Sequence, residues 1–336
     1  MKVSELGEFK LIDLLAEMVS EDQGSDIASW QRLLTGIGED VAAWSGDPGI
    51  QLATVDSFIQ DVHFSLDIAS WEDIGWRVMA ANLSDIAAMG GYPRYALVSL
   101  AIPGYTEVAD VALLYKGITA LARQNDMVIA GGDTNKSPIV AINITVLGSA
   151  GRDRFILTRS TARPGELVAV TGDLGSSAAG LKILTKQRKV ATNAGSDLIA
   201  AFLRPNPRLH EGRLLLDHGV RTAIDISDGL ISDLKRICEA SRVGARIMID
   251  QVPVNKSVEA IFGEGSMNLA LSGGEDFELL FTGDLPTIER VSELLPCKVT
   301  VIGEILTAEV GEVTIINNQG NPSYLEEVGW DHFRQS

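Results

Sequence analysis

The order of periodic segments along the chain constrains its fold most. Residues 50–55, 95–102, 127–130 and 139–147 read as strands, and residues 70–89 and 111–123 place apolar side chains at helical spacing. These segments do not follow the regular strand–helix–strand order that builds a doubly wound parallel sheet. The first half of the chain therefore favours an α+β fold.

The segment 70–89 illustrates how a helix is predicted. Ser70 is a suitable N-cap, and Ile74, Val78 and Ile86 recur on one face. Two glycines and a proline follow at residues 90–93 and end the pattern. In the second predicted helix, Leu114, Ile118 and Leu121 share one face.

A boundary between two domains is expected at residues 150–164. We predict an N-terminal domain at 1–150 and a C-terminal domain at 151–336, each long enough to bury a core. In the second domain, strands are predicted at 167–171, 222–226, 277–282 and 299–305, and helices at 176–184 and 230–241. Ile231, Leu234 and Cys238 should face the core.

Six short patches place an acid beside glycine or at the end of a strand or helix. They are 36–40 (GIGED), 54–57 (TVDS), 82–85 (NLSD), 131–134 (GGDT), 225–229 (DISDG) and 272–276 (SGGED). Mg²⁺ prefers oxygen ligands and usually takes a few carboxylates together with substrate phosphates. Glycine lets backbone N–H groups approach phosphate closely. Together the patches predict aspartates that converge in one cavity and bind an anion through metal ions.

Each patch taken alone also has a structural interpretation. Asp228 and Gly229 could form a turn that opens a helix, and residues 131–133 could form a simple turn. Asp85 is different, because it lies near the C-terminal end of a helix, where a negative charge opposes the helix dipole.

The charge balance narrows the possible partners. The chain has a net charge of −17, which argues against nucleic acid as a partner. Acidic residues can hold a polyanion such as ATP only through bound cations, since two like charges about 4 Å apart repel by roughly 4 kcal/mol at an effective dielectric near 20.

The compartment is expected to be the cytoplasm. No stretch approaches 18 uninterrupted apolar residues, so we expect no membrane span, and residues 1–17 lack the apolar core of a signal peptide. The two cysteines, Cys238 and Cys297, form no CxxC motif, which argues against a disulfide framework or a cysteine zinc site.

Several common catalytic motifs are absent. Residues 132–137 come near a P-loop but carry Asn135 where its last glycine is required, and the protein-kinase signatures are missing. Residues 225–234 lack the ligand spacing of an EF-hand, and residues 175–177 do not continue into a nucleophile elbow.

The motifs together resemble the thiamine-monophosphate kinase family, within the aminoimidazole-ribonucleotide synthetase superfamily. The resemblance runs in order through 36–40 (GIGED), 82–90 (NLSDIAAMG), 131–134 (GGDT), 157–160 (LTRS), 223–230 (AIDISDGL), 271–276 (LSGGED) and 329–333 (GWDHF). The segments 82–90 and 225–230 and the closing 330–333 are specific to it. One departure is Glu39, where the family usually has aspartate.

The resemblance implies a fold, a reaction and partners. The fold is α+β with two domains: the N-terminal sheet pairs with that of a second copy to form a barrel, and the C-terminal domain is an α/β sandwich that completes the substrate site. The reaction is transfer of the ATP γ-phosphoryl group to thiamine monophosphate in a homodimer that uses several Mg²⁺ ions.

The resemblance also implies residue roles. The metal ligands would be Asp40, Thr54, the carbonyl of Val55, Asp56, Asp85, Asp133, Asp225 and Asp228, of which Asp85 and Asp225 would be central to catalysis. The residues contacting ATP would be Tyr115, Gly132, Asp133, Arg159 and Ser227. The thiamine phosphate would be contacted by His63, Glu275 and Trp330.

Other roles stay open for several of these residues. Arg159 could form a surface ion pair at the domain junction, and His63 could be a hydrogen-bonded, half-buried histidine. Trp330 could anchor the C-terminal tail, and Glu275 could close a turn.

Two other functions stay open. A different ATP-dependent enzyme of the superfamily would share most of these motifs. The relatives that depend on a reactive cysteine are disfavoured, because Cys238 lies on a predicted helix and Cys297 lies in a loop. A non-catalytic Mg²⁺- or Ca²⁺-binding protein would show no Mg²⁺-dependent affinity for ATP.

Overall fold

The computed structural model describes residues 1–23, 27–37, 41–47, 49–151, 155–185, 193–317 and 319–321. The chain divides into two compact units. The first unit comprises Met1–Ile86 and Tyr92–Arg154, and the second comprises Ala87–Gly91 and Phe155–Ser336. Each unit contains its own sheet.

The first unit has a four-stranded sheet covered by helices, and a short two-stranded sheet. Its elements are α1 (Val3–Leu6), α2 (Glu8–Gln23), α3 (Ala28–Arg32), β1 (Leu33–Thr35), β2 (Ala43–Trp44), β3 (Gln51–Ile59), α4 (Trp71–Ala88), β4 (Tyr92–Ile102), α5 (Val108–Gln124), β5 (Val128–Lys136) and β6 (Ala141–Ser149). The larger sheet has the order β3-β6-β4-β5, and only the β4–β5 pair is parallel.

Helices α4 and α5 pack very closely through two glycines. A Cβ atom on Gly75 would lie 2.0 Å from the carbonyl oxygen of Leu114, and one on Gly117 would lie 2.0 Å from that of Glu72. The predicted apolar faces of both helices are confirmed: Ile74, Val78, Leu114 and Ile118 are fully buried, and Ile86 and Leu121 nearly so.

The second unit is built around a six-stranded mixed sheet. Its elements are β7 (Leu167–Thr171), α6 (Ser176–Thr185), α7 (Asn193–Leu203), α8 (Leu209–Asp217), β8 (Thr222–Asp225), α9 (Leu230–Ser241), β9 (Gly244–Met248), α10 (Lys256–Phe262), α11 (Ser266–Ser272), β10 (Leu279–Gly283), α12 (Leu285–Leu294), β11 (Val299–Leu306) and β12 (Val313–Ile316). The strand order is β12-β9-β11-β7-β10-β8. Ile231, Leu234 and Cys238 of α9 lie in its core, as predicted.

Two strands, β3 and β5, continue well beyond the ends that their sequence pattern predicted. β3 runs through Asp56 to Ile59, because its pairing with β6 continues without interruption to Ala141. Asp56 therefore lies within a strand and not after one. β5 includes residues 131–134, so the expected turn at Gly131, Gly132 and Asp133 is wrong. These residues pair with β4, and Gly132 allows this close approach, since a Cβ there would lie 1.9 Å from the carbonyl oxygen of Val98.

The described part of the chain contains no helix that is both long and apolar enough to span a membrane.

Candidate functional site

Thr54 and Asp85 form a polar pair between β3 and α4. The Thr54 hydroxyl donates a hydrogen bond of 2.5 Å to Oδ2 of Asp85. Asp85 is only partly buried, although its neighbours Ser84 and Ile86 are almost inaccessible. The strand alternation places Thr54 on the same face as Asp56, while Val55 points to the other face and is 61% exposed.

Asn82 lies one turn before Asp85 on the same helix. Its amide nitrogen donates to the carbonyl oxygen of Val78, at 2.9 Å. Its side-chain oxygen is buried and has no hydrogen-bond partner among the described residues. A buried acceptor without a donor is costly, so it indicates a position where a ligand or water supplies the missing contact.

His63 lies in the turn that follows β3 and is half-buried. Its Nδ1 accepts a hydrogen bond of 3.1 Å from the backbone N–H of Ile59, and its ring lies 5.6 Å from that of Phe58. In the neutral ring, this bond places the proton on Nε2.

A cavity of about 900 Å³ in the first unit is lined by Tyr115, Gly132 and Asp133. All three are residues for which the family resemblance implies contact with ATP. The cavity also has apolar lining residues, among them Phe9 and Ile37. Its size is in the range of small-molecule sites.

Tyr115 and Asp133 differ in their surroundings. Burial raises the pKa of Tyr115 far above its usual value, so the phenol stays protonated and can donate a hydrogen bond. Asp133 is exposed, and its carboxylate accepts a very short hydrogen bond from the side-chain amide of Asn135.

A second group of predicted site residues lies at the end of β8 in the second unit. Asp225 ends the strand and is 2% exposed, while Ser227 and Asp228 follow in a half-buried turn. The carbonyl oxygen of Ser227 accepts a hydrogen bond of 2.9 Å from the backbone N–H of Glu275. The structure thus brings four predicted site residues of this unit together.

Asp233 and Arg236 belong to this second group, but the sequence analysis did not identify them. Burial, together with the nearby carboxylates of Asp225 and Asp228, raises the pKa of Asp233 to about 7. Arg236 pairs with Asp228 through a very short contact and with Asp233 at 3.1 Å. A sequence signal existed: Asp233 lies between Ile231 and Leu234, on the inward face of a predicted helix.

The segment 275–277 carries a strained backbone beside the same turn. Glu275 has a φ of 64° and Phe277 a φ of 50°, in the left-handed region that non-glycine residues seldom adopt. The carboxylate of Asp276 accepts hydrogen bonds from the backbone N–H groups of Gly175, at 2.7 Å, and Ser177, at 3.0 Å. Burial raises the pKa of Asp276 to about 7, although these bonds oppose the shift.

Among the described residues, the predicted site residue Arg159 is not joined to these groups by the contacts given above. Arg159 is exposed, and its carbonyl oxygen accepts a hydrogen bond of 2.7 Å from the Ser241 hydroxyl. Asp40, with the neighbouring Glu39, and Trp330 lie outside the described residues.

The oxygen groups present can be compared with the needs of Mg²⁺. Among the described residues, no three His, Cys, Asp or Glu side chains are arranged so that they alone could hold a metal ion. Mg²⁺ usually keeps waters and takes one or two carboxylates together with phosphate oxygens. Thr54 with Asp85, and Asp225 with Asp228, supply ligands of that kind, so these residues fit an ion that arrives with a phosphate.

The comparison with protein families gives the class of this protein. Residues 38–150 match the N-terminal domain, and residues 163–316 match the C-terminal domain, of "AIR synthase related protein". The two matches cover most of the chain.

Individual similar proteins indicate a family within that class. The thiamine-monophosphate kinase of Bacillus subtilis (strain 168) is 34% identical, over 98% of this chain and 100% of the relative. The crystal structure of the thiamine-monophosphate kinase from Stenotrophomonas maltophilia K279a is 30% identical, with a TM-score of 0.80 over 94% of this chain and 98% of that one. The structure of AaThiL complexed with AMPPCP and TMP is also 30% identical, with a TM-score of 0.75 over 99% of both chains. The chain belongs to the thiamine-monophosphate kinase family.

Proposed function

We propose that this protein transfers the γ-phosphoryl group of ATP to thiamine monophosphate, giving thiamine diphosphate and ADP, and that Mg²⁺ is required. The observation that carries the proposal is the similarity along the whole chain to a structure that holds AMPPCP and TMP together. AMPPCP is ATP with carbon in place of the β–γ bridging oxygen, so that complex contains an analogue of the phosphoryl donor together with TMP.

The reaction needs positioning more than it needs a strong base. The acceptor is already a phosphate, and its oxygen forms the new bond to the γ-phosphorus while the bond to the β–γ bridging oxygen breaks. Direct in-line transfer requires two anions to approach each other. Bound Mg²⁺ supplies the positive charge that makes this approach possible.

The first unit supplies donors and ligands for the nucleotide and the metal. We assign metal binding to Thr54, the carbonyl of Val55, Asp56 and Asp85, with Asp40 and Asp133. The supporting observations are the Thr54–Asp85 hydrogen bond and the buried amide oxygen of Asn82. We assign nucleotide binding to Tyr115, Gly132 and Asp133, which line one cavity.

The second unit supplies the remaining groups. Asp225 and Asp228 are assigned to metal binding, and Ser227 and Arg159 to ATP. Glu275 is assigned to the thiamine phosphate, together with His63 of the first unit and Trp330. The backbone hydrogen bond between Glu275 and Ser227 supports the assignment of two substrates to neighbouring groups.

The assembly is proposed to be a cytoplasmic homodimer formed through the N-terminal sheets. On β3, the face opposite Thr54 and Asp56 carries Ala53, Val55 and Ser57, all exposed, with Val55 at 61%. Apolar side chains on an open sheet face are typical of a surface that pairs with another copy.

Product analysis tests the reaction. The protein is incubated with ATP, Mg²⁺ and one acceptor from a panel: thiamine monophosphate, thiamine, pyridoxal phosphate or aminoimidazole ribonucleotide precursors. We expect thiamine diphosphate and ADP in equal amounts with thiamine monophosphate, and no ADP above background with the others. ADP formation with another acceptor, and none with thiamine monophosphate, would assign the protein to another activity of the superfamily.

A further inference from the structure

Asp233 holds the turn that precedes its own helix. Its Oδ2 atom accepts hydrogen bonds from the backbone N–H groups of Ser227, at 3.1 Å, and Asp228, at 3.0 Å. Asp233 is fully buried, whereas Ser227 and Asp228 lie in a half-buried turn. One carboxylate oxygen therefore fixes two successive peptide groups of the turn.

The other oxygen of Asp233 connects the turn to Arg236. Oδ1 accepts a hydrogen bond of 3.1 Å from Arg236, and the same guanidinium also contacts the carboxylate of Asp228. The backbone of Asp228 is thus held by Asp233, and its side chain is held by Arg236. Both holding residues lie on α9, whose core face is packed in the second unit.

This arrangement differs from ordinary helix capping. Asp284 is an ordinary cap: it precedes α12, and its side chain accepts from the backbone N–H of Thr287 in the first turn of that helix. Asp233 lies inside α9 and instead accepts from two residues that precede the helix. Its hydrogen bonds therefore stabilise the turn and do not cap its helix.

We propose that Asp233 is a positioning residue that orients Ser227 and Asp228 for the nucleotide. The inference rests on the proposed function, which assigns Ser227 to ATP and Asp228 to the metal. Without the carboxylate, two backbone donors lose their acceptor, and the turn must move to find water. The side chains of Ser227 and Asp228 then lose their direction.

Two substitutions separate hydrogen bonding from charge. Asp233→Asn keeps one acceptor oxygen, which can still receive both N–H groups, but it removes the charge and the oxygen that accepts from Arg236. Asp233→Leu has a similar shape and fills the buried space, but it accepts no hydrogen bond. The matched control is Asp284→Leu, which removes a carboxylate from an exposed helix cap of the same unit.

The readouts are the KM for ATP, kcat, and the hydrogen-exchange rates of the Ser227 and Asp228 amides. We expect Asp233→Leu to raise the KM for ATP and both exchange rates by about tenfold, the effect of losing a buried hydrogen-bond acceptor. Asp233→Asn should stay within about threefold of wild type in every readout, and Asp284→Leu should leave all of them unchanged. If Asp233→Leu does not fold, Asp233→Ser, whose hydroxyl is too short to reach both amides, replaces it with the same expectation.

Two results would overturn the inference. One is an unchanged KM and unchanged amide exchange in the leucine variant. The other is an asparagine variant as impaired as the leucine variant, because the charge of Asp233 and its contact with Arg236, and not the hydrogen bonds to the two amides, would then be the cause. If the wild-type protein does not phosphorylate thiamine monophosphate, the proposed function fails by itself, and ATP affinity by calorimetry together with amide exchange still decides the role of Asp233.

Discussion

At the residue scale, the contact between Thr54 and Asp85 joins a strand to a helix, and the negative charge of Asp85 stabilises neither element. An acid near the C-terminal end of a helix is unfavourable for the helix itself. The hydroxyl of Thr54 donates to one carboxylate oxygen of Asp85, through a bond of 2.5 Å. The position is therefore better explained by ligand binding than by stability.

The substitution Asp85→Asn tests this interpretation. Asparagine keeps an oxygen that can accept from Thr54, so we expect the thermal melting temperature to change by less than about 3 °C. Loss of the charge should lower kcat by about 100-fold or more, because the carboxylate of Asp85 is proposed to bind the metal ion that neutralises the transferred phosphate.

The control for this experiment is Asp67→Asn, since Asp67 is exposed in the same unit and has no proposed role. It should keep full activity. Activity near that of wild type in Asp85→Asn would remove Asp85 from the metal site.

The two cysteines provide a second test at the residue scale, of whether the protein acts like the relatives that depend on a reactive cysteine. Burial raises the pKa of Cys238 and of Cys297 to about 11 each. Below pH 11 the thiolate fraction rises about tenfold for each unit of pH, so at pH 8 only about one thiol in a thousand is ionised.

We therefore expect iodoacetamide to label the folded protein very slowly at pH 8 and faster at pH 9 and 10, as measured by intact mass spectrometry. The double variant Cys238→Ala, Cys297→Ser should keep kcat within about twofold. Rapid labelling, or loss of turnover in that variant, would favour the cysteine-dependent relatives.

The sequence analysis identified the site residues that lie in recognisable short motifs. Thr54, Asp85, Asp225 and Ser227 lie in short motifs of glycine, acid and hydroxyl residues, and the structure joins them in two groups. Asp233 was missed because its partners are backbone N–H groups five and six residues earlier. Only the path of the turn brings these groups together, and side-chain periodicity does not describe that path.

At the element scale, strand pairing determines where strands end, and the local sequence pattern does not. Periodicity located every helix and strand named in the sequence analysis, but it ended β3 and β5 too early. Pairing with β6 carries β3 past Asp56, and pairing with β4 carries β5 through two glycines. In the sequence, two successive glycines predict a turn. In the structure, they allow the backbone of β5 to approach that of β4 closely.

The crossing of α4 and α5 gives a prediction about stability. Gly117→Ala places a Cβ atom 2.0 Å from the Glu72 carbonyl oxygen, so the helices must separate. Although alanine favours an isolated helix, we expect a loss of about 2–3 kcal/mol in the free energy of unfolding, measured by urea denaturation.

The control is Gly46→Ala, because a Cβ atom there meets nothing within 4 Å. Its free energy of unfolding should stay within about 0.5 kcal/mol of wild type. Equal stability of the two variants would show that the α4–α5 crossing tolerates separation.

At the scale of the whole molecule, the assembly is open to a direct test. Ala53 is exposed on the face of β3 that also carries Val55. Ala53→Arg places a large cation on that face. If the proposed dimer forms in the wild type, we expect this variant to be monomeric in size-exclusion chromatography with light scattering. The control Asp67→Arg carries the same side chain at an exposed position of the same unit and should stay dimeric. A dimeric Ala53→Arg variant would mean that assembly uses a different surface.

The charge of the whole chain leads to the most direct measurement. A protein with a net charge of −17 is proposed to bind two anionic substrates, which is favourable only if divalent cations are bound with them. Calorimetric titration of ATP into the protein, with Mg²⁺ and then with EDTA, measures this requirement. We expect the affinity for ATP to fall by about 100-fold or more when Mg²⁺ is removed. Equal affinity for ATP in Mg²⁺ and in EDTA would contradict the account.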